Sequence, residues 1–482
     1  MPLGEDFSPT GIPLGVIGGS LDERSVRSYH PPKFFAGRYV IQNTESVKKR
    51  LDYGRNLRRK LGRSDHANWD GSKRRHDAVE IILQVNQERI RELIPIKMAR
   101  MAVSPFGFFR GNVAVMAADL ATLPRAGISV QICGDAHVRN LGAYSAPDGR
   151  LVFDINDFDE TIRAPWEWDL RRLATSLVLA GREAGDSDRR SRDAVLACAA
   201  TYRTKLQEFS RMTCIEVHKY RTHRQFLGRT TSSVLQRAVR ETPDRTLLKL
   251  TIEQGSSRRF KSDPPILARV SKPVAGQVLN SLRSYQKSLS ECSQQVLSFY
   301  RPVDVAFKLV GTGSVGTYDY VILQFAGEGT SDPLFLQVKQ AVRSAYAPYV
   351  QSSESAMHQG QRVVLGQRLF EVQSDMMLGW TSLEGRDFLV RQLNDHKASI
   401  RGDELTGAAL IEYATTCGEV LAKGHARSGD PAVLAGYLGS SDRWDKALAK
   451  FALIYADQTT RDYEMFRKAI RQRKIKAGDP YL

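Results

Sequence analysis

The segment Cys133–Asn140 reads Cys-Gly-Asp-Ala-His-Val-Arg-Asn, and the segment Leu151–Glu160 reads Leu-Val-Phe-Asp-Ile-Asn-Asp-Phe-Asp-Glu. Apolar runs predict two short strands, Ile128–Ile132 and Leu151–Ile155, and each strand leads into a polar loop. A carboxylate at a strand exit, an amide five residues later and a second carboxylate on the next turn form the set that phosphoryl transfer uses. One carboxylate receives the proton of an attacking hydroxyl, while the amide oxygen and the other carboxylate hold Mg²⁺. Asp and Asn also cap ordinary turns, but this combination at this interval is far more specific.

A second motif, Gly311-Thr-Gly-Ser-Val-Gly316, lies between the predicted strands AFKLV and YDYVILQF. A dinucleotide-binding glycine motif opens a helix, whereas this one turns from strand to strand, as a phosphate-covering loop does. Lys339 ends the next predicted strand and would bring an ammonium group close to those phosphates. A glycine-rich hairpin with a surface lysine is the alternative, and the first motif weighs against it.

The chain has 482 residues, a formal net charge of +17, and 42% hydrophobic and 26% charged residues. This is the composition of a globular protein that can bury a large core. No apolar run approaches the roughly 18 residues of a membrane span and the start lacks a secretion signal, so we expect no membrane span and a cytoplasmic location. The five cysteines are scattered and odd in number, which predicts reduced thiols.

The positive charge favours anionic partners. The densest basic runs are residues 48–63, 73–75 and 467–476. They lack the interleaved aromatic residues of a single-strand-binding surface, so we interpret them as solvated helix faces. Nucleic acid is therefore not the favoured partner.

Composition and periodicity divide the chain into four parts. Residues 1–45 are rich in Gly, Pro and Ser and predict an irregular arm, and residues 46–300 predict a helical body that carries the first motif. Residues 301–400 predict a small antiparallel sheet, and residues 401–482 predict helices again. The fold class is therefore α+β.

Four expectations concern the helical body. We expect an amphipathic helix from His76 that ends near Pro95, a helix over Gly111–Leu123 and a helix over Trp166–Ala184. The charged, proline-containing stretch Thr242–Pro273 is interpreted as an insertion.

With these motifs the sequence resembles the protein-kinase-like superfamily, in particular its aminoglycoside and choline kinase branch. The catalytic loop of that branch reads H-G-D-x-H-x-x-N and its metal loop reads I-D-F-E or similar. The resemblance implies a two-lobed fold that binds ATP and Mg²⁺, with Asp135 as the catalytic aspartate and Asn140 and Asp157 as metal ligands. Asp154 is a rival for the role of Asp157. Asp157 is preferred because Asp169 lies 12 residues beyond it, where those kinases have a buried aspartate that braces the catalytic loop.

By the same resemblance, Gly311, Gly313 and Gly316 would cover the phosphates and Lys339 would pair with them. Residues 301–400 would then be the nucleotide-binding lobe, and residues 46–300 and 401–482 together the large lobe. The acidic partner of Lys339 is left open between Glu354 and Glu371, with Gln367 as a substitute.

The chain departs from the kinase pattern in two ways. Asp135 precedes Gly311 by 176 residues, whereas an ordinary kinase has its glycine loop first. A circular permutation explains this order, because it preserves contacts while moving the chain ends. The segment Gly418–Asp430 supports it, since it resembles the helix that precedes the catalytic loop in aminoglycoside kinases. Cys133 also replaces the usual histidine before Gly-Asp, and we interpret it as a packing residue.

From about residue 50 the chain further resembles the bacterial family known as domain of unknown function 2252. The resemblance is carried by stretches that include CGDAHVRNLGAY, FDINDFDETIRAPWEWDLRRLA, VGTGSVGT and PLFLQVKQA. The expected function is an ATP- and Mg²⁺-dependent phosphotransferase acting on a hydroxyl acceptor that the sequence does not name. Two alternatives stay open: a non-catalytic nucleotide-sensing or nucleic-acid-binding scaffold, and transfer of an adenylyl group to a protein.

Overall fold

The computed structural model describes residues 45–146, 148–222, 228–255, 257–327, 332–372, 374–393 and 397–480. The predicted N-terminal arm lies outside these ranges except for its last residue. From residue 44 to residue 482 the chain forms one compact unit. Its α-helices are α1 (Val47–Leu57), α2 (Ala78–Val85), α3 (Ile94–Met101), α4 (Pro105–Gly111), α5 (Val113–Ala121), α6 (Glu167–Glu183), α7 (Asp188–Phe209), α8 (Cys214–Lys219), α9 (Arg229–Val239), α10 (Pro243–Leu250), α11 (Lys272–Lys287), α12 (Glu291–Ser298), α13 (Gln359–Phe370), α14 (Ala408–Ser428), α15 (Pro431–Leu438) and α16 (Arg443–Arg471).

The strands are short in the helical body and long in the segment after residue 300. They are β1 (Ser129–Ile132), β2 (Leu141–Ser145), β3 (Leu151–Ile155), β4 (Ile162–Pro165), β5 (Thr251–Gln254), β6 (Ser257–Phe260), β7 (Leu267–Arg269), β8 (Tyr300–Lys308), β9 (Asp319–Ala326), β10 (Pro333–Gln340), β11 (Gly379–Leu383), β12 (Arg386–Gln392) and β13 (Ala398–Ser399). The mixture of helices with antiparallel strands confirms the α+β class.

The largest sheet has six antiparallel strands in the order β11-β12-β10-β9-β8-β7. Apolar residues make up most of the central strands β9 and β10, and both strands are buried along almost their whole length. Pairing places Lys339 of β10 beside Asp319 of β9 and Leu389 of β12. Because side chains alternate between the two faces of a strand, Gln337 and Lys339 share one face.

Both faces of this sheet are packed. One face contacts α11 and α12 through an apolar cluster that includes Tyr285 and Leu297. The far part of the other face contacts α10 and β6 through a cluster that includes Leu250 and Phe260. Lys339 belongs to this second face, which also meets the loop after β3.

The stretch Thr242–Pro273 is part of the fold. It forms α10, β5, β6 and β7 and reaches the first turn of α11. β7 pairs with β8, with Leu267 beside Lys308. The six-stranded sheet therefore includes a strand before residue 301, whereas the sequence predicts a sheet that starts at residue 301.

The helix expected from His76 to Pro95 is divided in the structure. α2 ends at Val85, and Pro95 lies in the first turn of α3. A proline is well tolerated there, because the first N–H groups of a helix have no partner within the helix. The helices expected over Gly111–Leu123 and Trp166–Ala184 are confirmed as α5 and α6.

α6 is the central element of the helical body. It is buried along almost its whole length and packs against α4, α7, α14 and α16. The hairpin of β2 and β3 and the pair of β1 and β4 hold the two polar loops of the first motif near its N-terminal half. Among the described helices, none is both long and apolar enough to cross a membrane.

Candidate functional site

The loop after β1 is fixed to α6 by Asp169. The carboxylate of this fully buried residue accepts hydrogen bonds from the backbone N–H groups of Cys133 at 2.8 Å and Gly134 at 2.9 Å. His425 of α14 approaches the same carboxylate, with its Nε2 at 3.3 Å. Gly134 has a φ of +82°, and a Cβ there would lie 2.3 Å from the carbonyl oxygen of Glu160. The loop conformation therefore needs both the glycine and the buried acceptor.

Asp135 follows directly and is held by a buried arginine. Nε of Arg172 lies 2.6 Å from Oδ1 of Asp135, whose side chain keeps 23% of its surface exposed. Nε2 of His137 lies 3.7 Å from Oδ2. Burial, together with the charges of nearby arginines, lowers the pKa of His137 to about 3, so this histidine is neutral near pH 7. Oδ2 of Asp135 accepts no hydrogen bond from a described residue.

Asn140 links the two polar loops. Its side-chain N–H₂ donates to the carbonyl oxygens of Asp135 and Asp157, each at 3.1 Å. Because both carbonyls take the amide nitrogen, the amide oxygen is the atom left to accept or to ligate.

Lys339 reaches the loop after β3 from the sheet. Its Nζ lies 2.5 Å from Oδ2 of Asp159 and 3.3 Å from Oδ2 of Asp157. Burial opposes ionisation of Asp157, but the charge of Lys339 outweighs it and lowers the pKa of Asp157. Burial and the neighbouring charge of Asp157 raise the pKa of Asp159. Oδ1 of Asp159 is buried without a hydrogen-bond partner.

Asp154 occupies a different environment from Asp157. Its side chain is buried and forms an ion pair with Lys423 of α14. The structure therefore brings Asp157, not Asp154, to Lys339, and it adds Asp159 to the group.

The glycine motif connects β8 and β9 and is held from its carbonyl side. Ile90 N–H donates to the carbonyl oxygen of Gly316 at 2.8 Å, and the Arg89 guanidinium donates to that of Val315 at 2.6 Å. The Arg100 guanidinium donates to the carbonyl of Gly311. Gly311 and Gly316 have φ values of +65° and +89°, which favour glycine.

Several backbone N–H groups of this loop, unlike its carbonyl groups, have no hydrogen-bond partner among the described residues. Within the described residues, those of Gly313, Ser314 and Gly316 donate to no protein atom. Ser314 Oγ lies 3.4 Å from Oδ2 of Asp159, so the loop lies beside the Lys339 group. Unpaired backbone N–H groups beside a lysine are suited to phosphate oxygens.

Sequence reasoning missed several residues of the site. Neither Glu354 nor Glu371 pairs with Lys339: Glu354 accepts the N–H of Arg163 at 2.8 Å, and Glu371 accepts from Gln367 at 3.0 Å. From the sequence, the partner is expected after Lys339 in the chain, whereas both partners, Asp157 and Asp159, lie in the loop after β3. The one sequence feature that points to Asp159 is its position two residues after Asp157, in the stretch Asp-Phe-Asp.

Two further cations were also missed. Arg391 of β12 and Lys397 both donate to the carbonyl oxygen of Asn156, at 3.3 and 3.0 Å. Burial and the charge of Arg391 lower the pKa of Lys397 to about 7. Arg391 pairs with Gln337, on the face of the sheet that also carries Lys339. Lys397 carried no recognisable signal, because only the fold brings it to this loop.

The described residues include no group of three or more His, Cys, Asp or Glu side chains arranged to hold a metal. Mg²⁺, however, usually takes one or two protein oxygens and completes its shell with water and phosphate. The Asn140 amide oxygen, the Asp157 carboxylate and the unpartnered Oδ1 of Asp159 are oxygen donors of the right type. The residues present therefore fit a magnesium ion that arrives with a phosphate ligand.

A family model matches most of the chain. Residues 89–469, well over half of the chain, match the family described as "uncharacterized protein conserved in bacteria (DUF2252)". The chain belongs to this family. No curated protein and no solved structure matches it.

Proposed function

We propose that this protein is an ATP- and Mg²⁺-dependent phosphotransferase with a circularly permuted, two-lobed kinase-like fold. The observation that carries the proposal is the meeting of Lys339 with Asp157 and Asp159, beside Asn140 and Asp135. A lysine from a sheet, an unpaired glycine loop and a carboxylate–amide pair are the parts that phosphoryl transfer uses.

In this proposal Asp135 receives the acceptor. Arg172 holds Oδ1 of Asp135 at 2.6 Å, so Oδ2 is the atom that would accept the hydrogen of an acceptor hydroxyl. In this role Asp135 would orient the acceptor hydroxyl or receive its proton. Positioning and charge stabilisation would therefore supply most of the rate enhancement.

The glycine loop and Lys339 would hold the phosphates. The N–H groups of Gly313, Ser314 and Gly316 would donate to phosphate oxygens, and Lys339 would pair with them in place of a carboxylate. Asn140 and Asp157, with Asp159 beside them, would hold Mg²⁺, which would neutralise phosphate charge.

The contact between α14 and α6 supports the permuted order. His425, in the segment that resembles the helix before a kinase catalytic loop, approaches Asp169 and so lies against the loop of Asp135. The helix thus stands beside the catalytic loop in space although it follows the loop in the chain.

Adenylyl transfer is the second candidate, and one observation favours it. Lys339, Arg391 and Lys397 place three basic side chains under the sheet, where an ordinary adenine pocket is apolar. Phosphates seated among these side chains would leave the α-phosphate nearer the acceptor.

The proposal is tested with ATP labelled on the α- or the γ-phosphate, with and without Mg²⁺. We expect magnesium-dependent release or transfer of the γ label, and its loss in Asp135→Ala, Asp157→Ala and Lys339→Ala. Asp442→Asn, at an exposed helix end, serves as the matched control and should keep wild-type turnover. Asp135→Ala should still bind ATP. Turnover that survives in Asp135→Ala would refute the assignment, and transfer of the α label would select the second candidate.

A further inference from the structure

The C-terminal end of α4 lies between the loop that carries Asp135 and the glycine loop of residues 311–316. The Arg172 guanidinium, which holds Asp135, also donates to the carbonyl oxygen of Phe109 at 3.1 Å and stacks 4.2 Å over its ring. On the other side, a Cβ added to Gly313 would lie 3.7 Å from the carbonyl oxygen of Arg110. Arg110 is therefore held at the junction of the Asp135 loop and the glycine loop.

Arg110 is charged but poorly compensated. Its Nε is buried without a hydrogen-bond partner, and no ion pair to its guanidinium occurs in the described part of the chain. Burial and the charge of Arg139 lower the pKa of Arg110 to about 10. Arg110 is half-buried, and a guanidinium whose Nε is shut off from water is favoured by pairing with a carboxylate or phosphate.

The acids near Arg110 are already engaged. Asp135 is bound by Arg172, and Glu183 accepts the hydroxyl hydrogen of Ser104 at 2.6 Å. Arg139, which follows Asp135 on the same loop, is exposed and makes no ion pair or hydrogen bond with any described residue. Two arginines thus flank Asp135 without a counter-ion.

His137 adds a second unpaired group. Its Nδ1 is buried and has no hydrogen-bond partner among the described residues, and its ring packs edge-on against Phe106 of α4. Because the imidazole is neutral near pH 7, it adds no positive charge and can donate or accept one hydrogen bond.

We infer that Arg110 and Arg139 form an anion subsite for the acceptor, so that the acceptor carries a phosphate or carboxylate group in addition to the hydroxyl that meets Asp135. This inference rests on the proposed function. Guanidinium groups bind both oxyanions through paired N–H donors, which gives orientation as well as charge. The bound oxyanion supplies the counter-ion that Arg110 lacks.

The subsite is tested by equilibrium dialysis of inorganic phosphate and, in a second arm, acetate, both without nucleotide. We expect Arg110→Gln and Arg139→Gln each to weaken binding of the preferred anion at least tenfold. Arg471→Gln, an exposed arginine at the end of α16, is the matched control for loss of one charge. Phosphate binding without acetate binding assigns a phosphorylated acceptor, and the reverse assigns a carboxylate.

Arg110→Gln also has a folding readout. Because Arg110 is half-buried and makes no ion pair with a described residue, the variant should unfold at the same urea concentration as the wild type or at a higher one. Loss of anion binding in this variant is then not a loss of fold. A clear drop in its unfolding midpoint would show that Arg110 is a structural residue and overturn the inference.

Other outcomes also overturn it. The inference is overturned if the protein binds neither phosphate nor acetate at 50 mM or more. It is also overturned if anion binding is lost in Lys339→Met and kept in Arg110→Gln. A tenfold loss of ATP affinity with unchanged ADP affinity in Arg110→Gln would assign the arginine to the γ-phosphate instead. Since the dialysis uses no nucleotide, failure of the subsite is separable from failure of the proposed function, which the γ label measures.

Discussion

The ammonium group of Lys339 lies 2.5 Å from a carboxylate oxygen of Asp159 and also contacts Asp157, which is 182 residues earlier in the chain. The two carboxylates repel each other, as the raised pKa of Asp159 indicates, and the lysine offsets that repulsion. The same three side chains tie the sheet to the loop after β3. They therefore contribute to stability as well as to the candidate site.

We expect Lys339→Met to lower the free energy of unfolding at pH 7 by on the order of 2 kcal/mol. This is less than the ~3–5 kcal/mol of a fully buried broken pair, because both carboxylates keep some exposure. Asp157 has a lowered pKa, so the stability from its pairing is present at neutral pH and is lost as pH falls through the folded pKa. The difference in unfolding free energy between the wild type and Lys339→Met should therefore become smaller as the pH is lowered.

Urea unfolding at pH 7 and in acid measures both effects. The matched control is Lys446→Met, which removes an exposed lysine paired with the exposed Asp442 and should leave stability nearly unchanged. Equal losses in the two variants would contradict the proposed coupling.

Substitution of Asp154 should mainly lower stability, whereas substitution of Asp157 should mainly affect ATP binding. Asp154→Asn leaves the buried Lys423 without a counter-ion and should cost about 3–5 kcal/mol of unfolding free energy. Adding Lys423→Met should restore much of that loss. Asp157→Asn should change stability less, because Asp159 still pairs with Lys339, and should abolish magnesium-dependent ATP binding.

Calorimetric titration of ATP with and without Mg²⁺, beside thermal unfolding, separates the two aspartates. Magnesium dependence that vanishes in the stable double variant Asp154→Asn/Lys423→Met, and persists in Asp157→Asn, would reverse the assignment.

The local part of the site could be predicted because it lies within short sequence intervals. The spacing from Asp135 to Asn140 and the position of Asp169 are properties of one hairpin and the helix that follows it. Asp169 is identified through the kinase resemblance, by its position 12 residues after Asp157, and it is buried as the acceptor of the Cys133 and Gly134 N–H groups. The antiparallel sheet could also be predicted, because period-two apolar runs between glycine turns specify it.

The remainder depends on tertiary packing. Asp159 and Lys339 meet only because β10 lies over the loop after β3, and no periodicity encodes that distance. Arg172 looks like an ordinary polar residue of α6, yet it is fully buried against Asp135. The predicted helix from His76 ends at Val85, and Pro95, expected near its end, lies in the first turn of α3, because a proline can begin a helix as well as end one.

Asp169 should be required for the shape of the Asp135 loop. Asp169→Ala leaves the buried N–H groups of Cys133 and Gly134 without an acceptor, at roughly 1–3 kcal/mol each. Asp169→Asn keeps one acceptor oxygen and should lose about half as much. Urea unfolding of both variants measures the difference, and hydrogen exchange at Cys133 and Gly134 should quicken in each. Unchanged exchange at these two amides in Asp169→Ala would exclude the bracing role.

Glu371 should make stability depend on pH. It is buried at the end of α13, and burial together with the charge of Asp154 raises its pKa to about 8, while Lys423 and Gln367 oppose the shift. The folded state therefore binds a proton that the unfolded state releases above its ordinary pKa near 4.5, so stability falls as pH rises from about 4.5 to 8 and then levels off. The slope from one such group is at most ~1.4 kcal/mol per pH unit.

Glu371→Gln cannot ionise, so its unfolding free energy should match the wild type near pH 5 and exceed it at pH 8. Urea unfolding at four pH values checks this, with the exposed Glu291→Gln as control. A wild-type curve parallel to that of Glu371→Gln across the whole range would show that Glu371 is ionised in the folded protein.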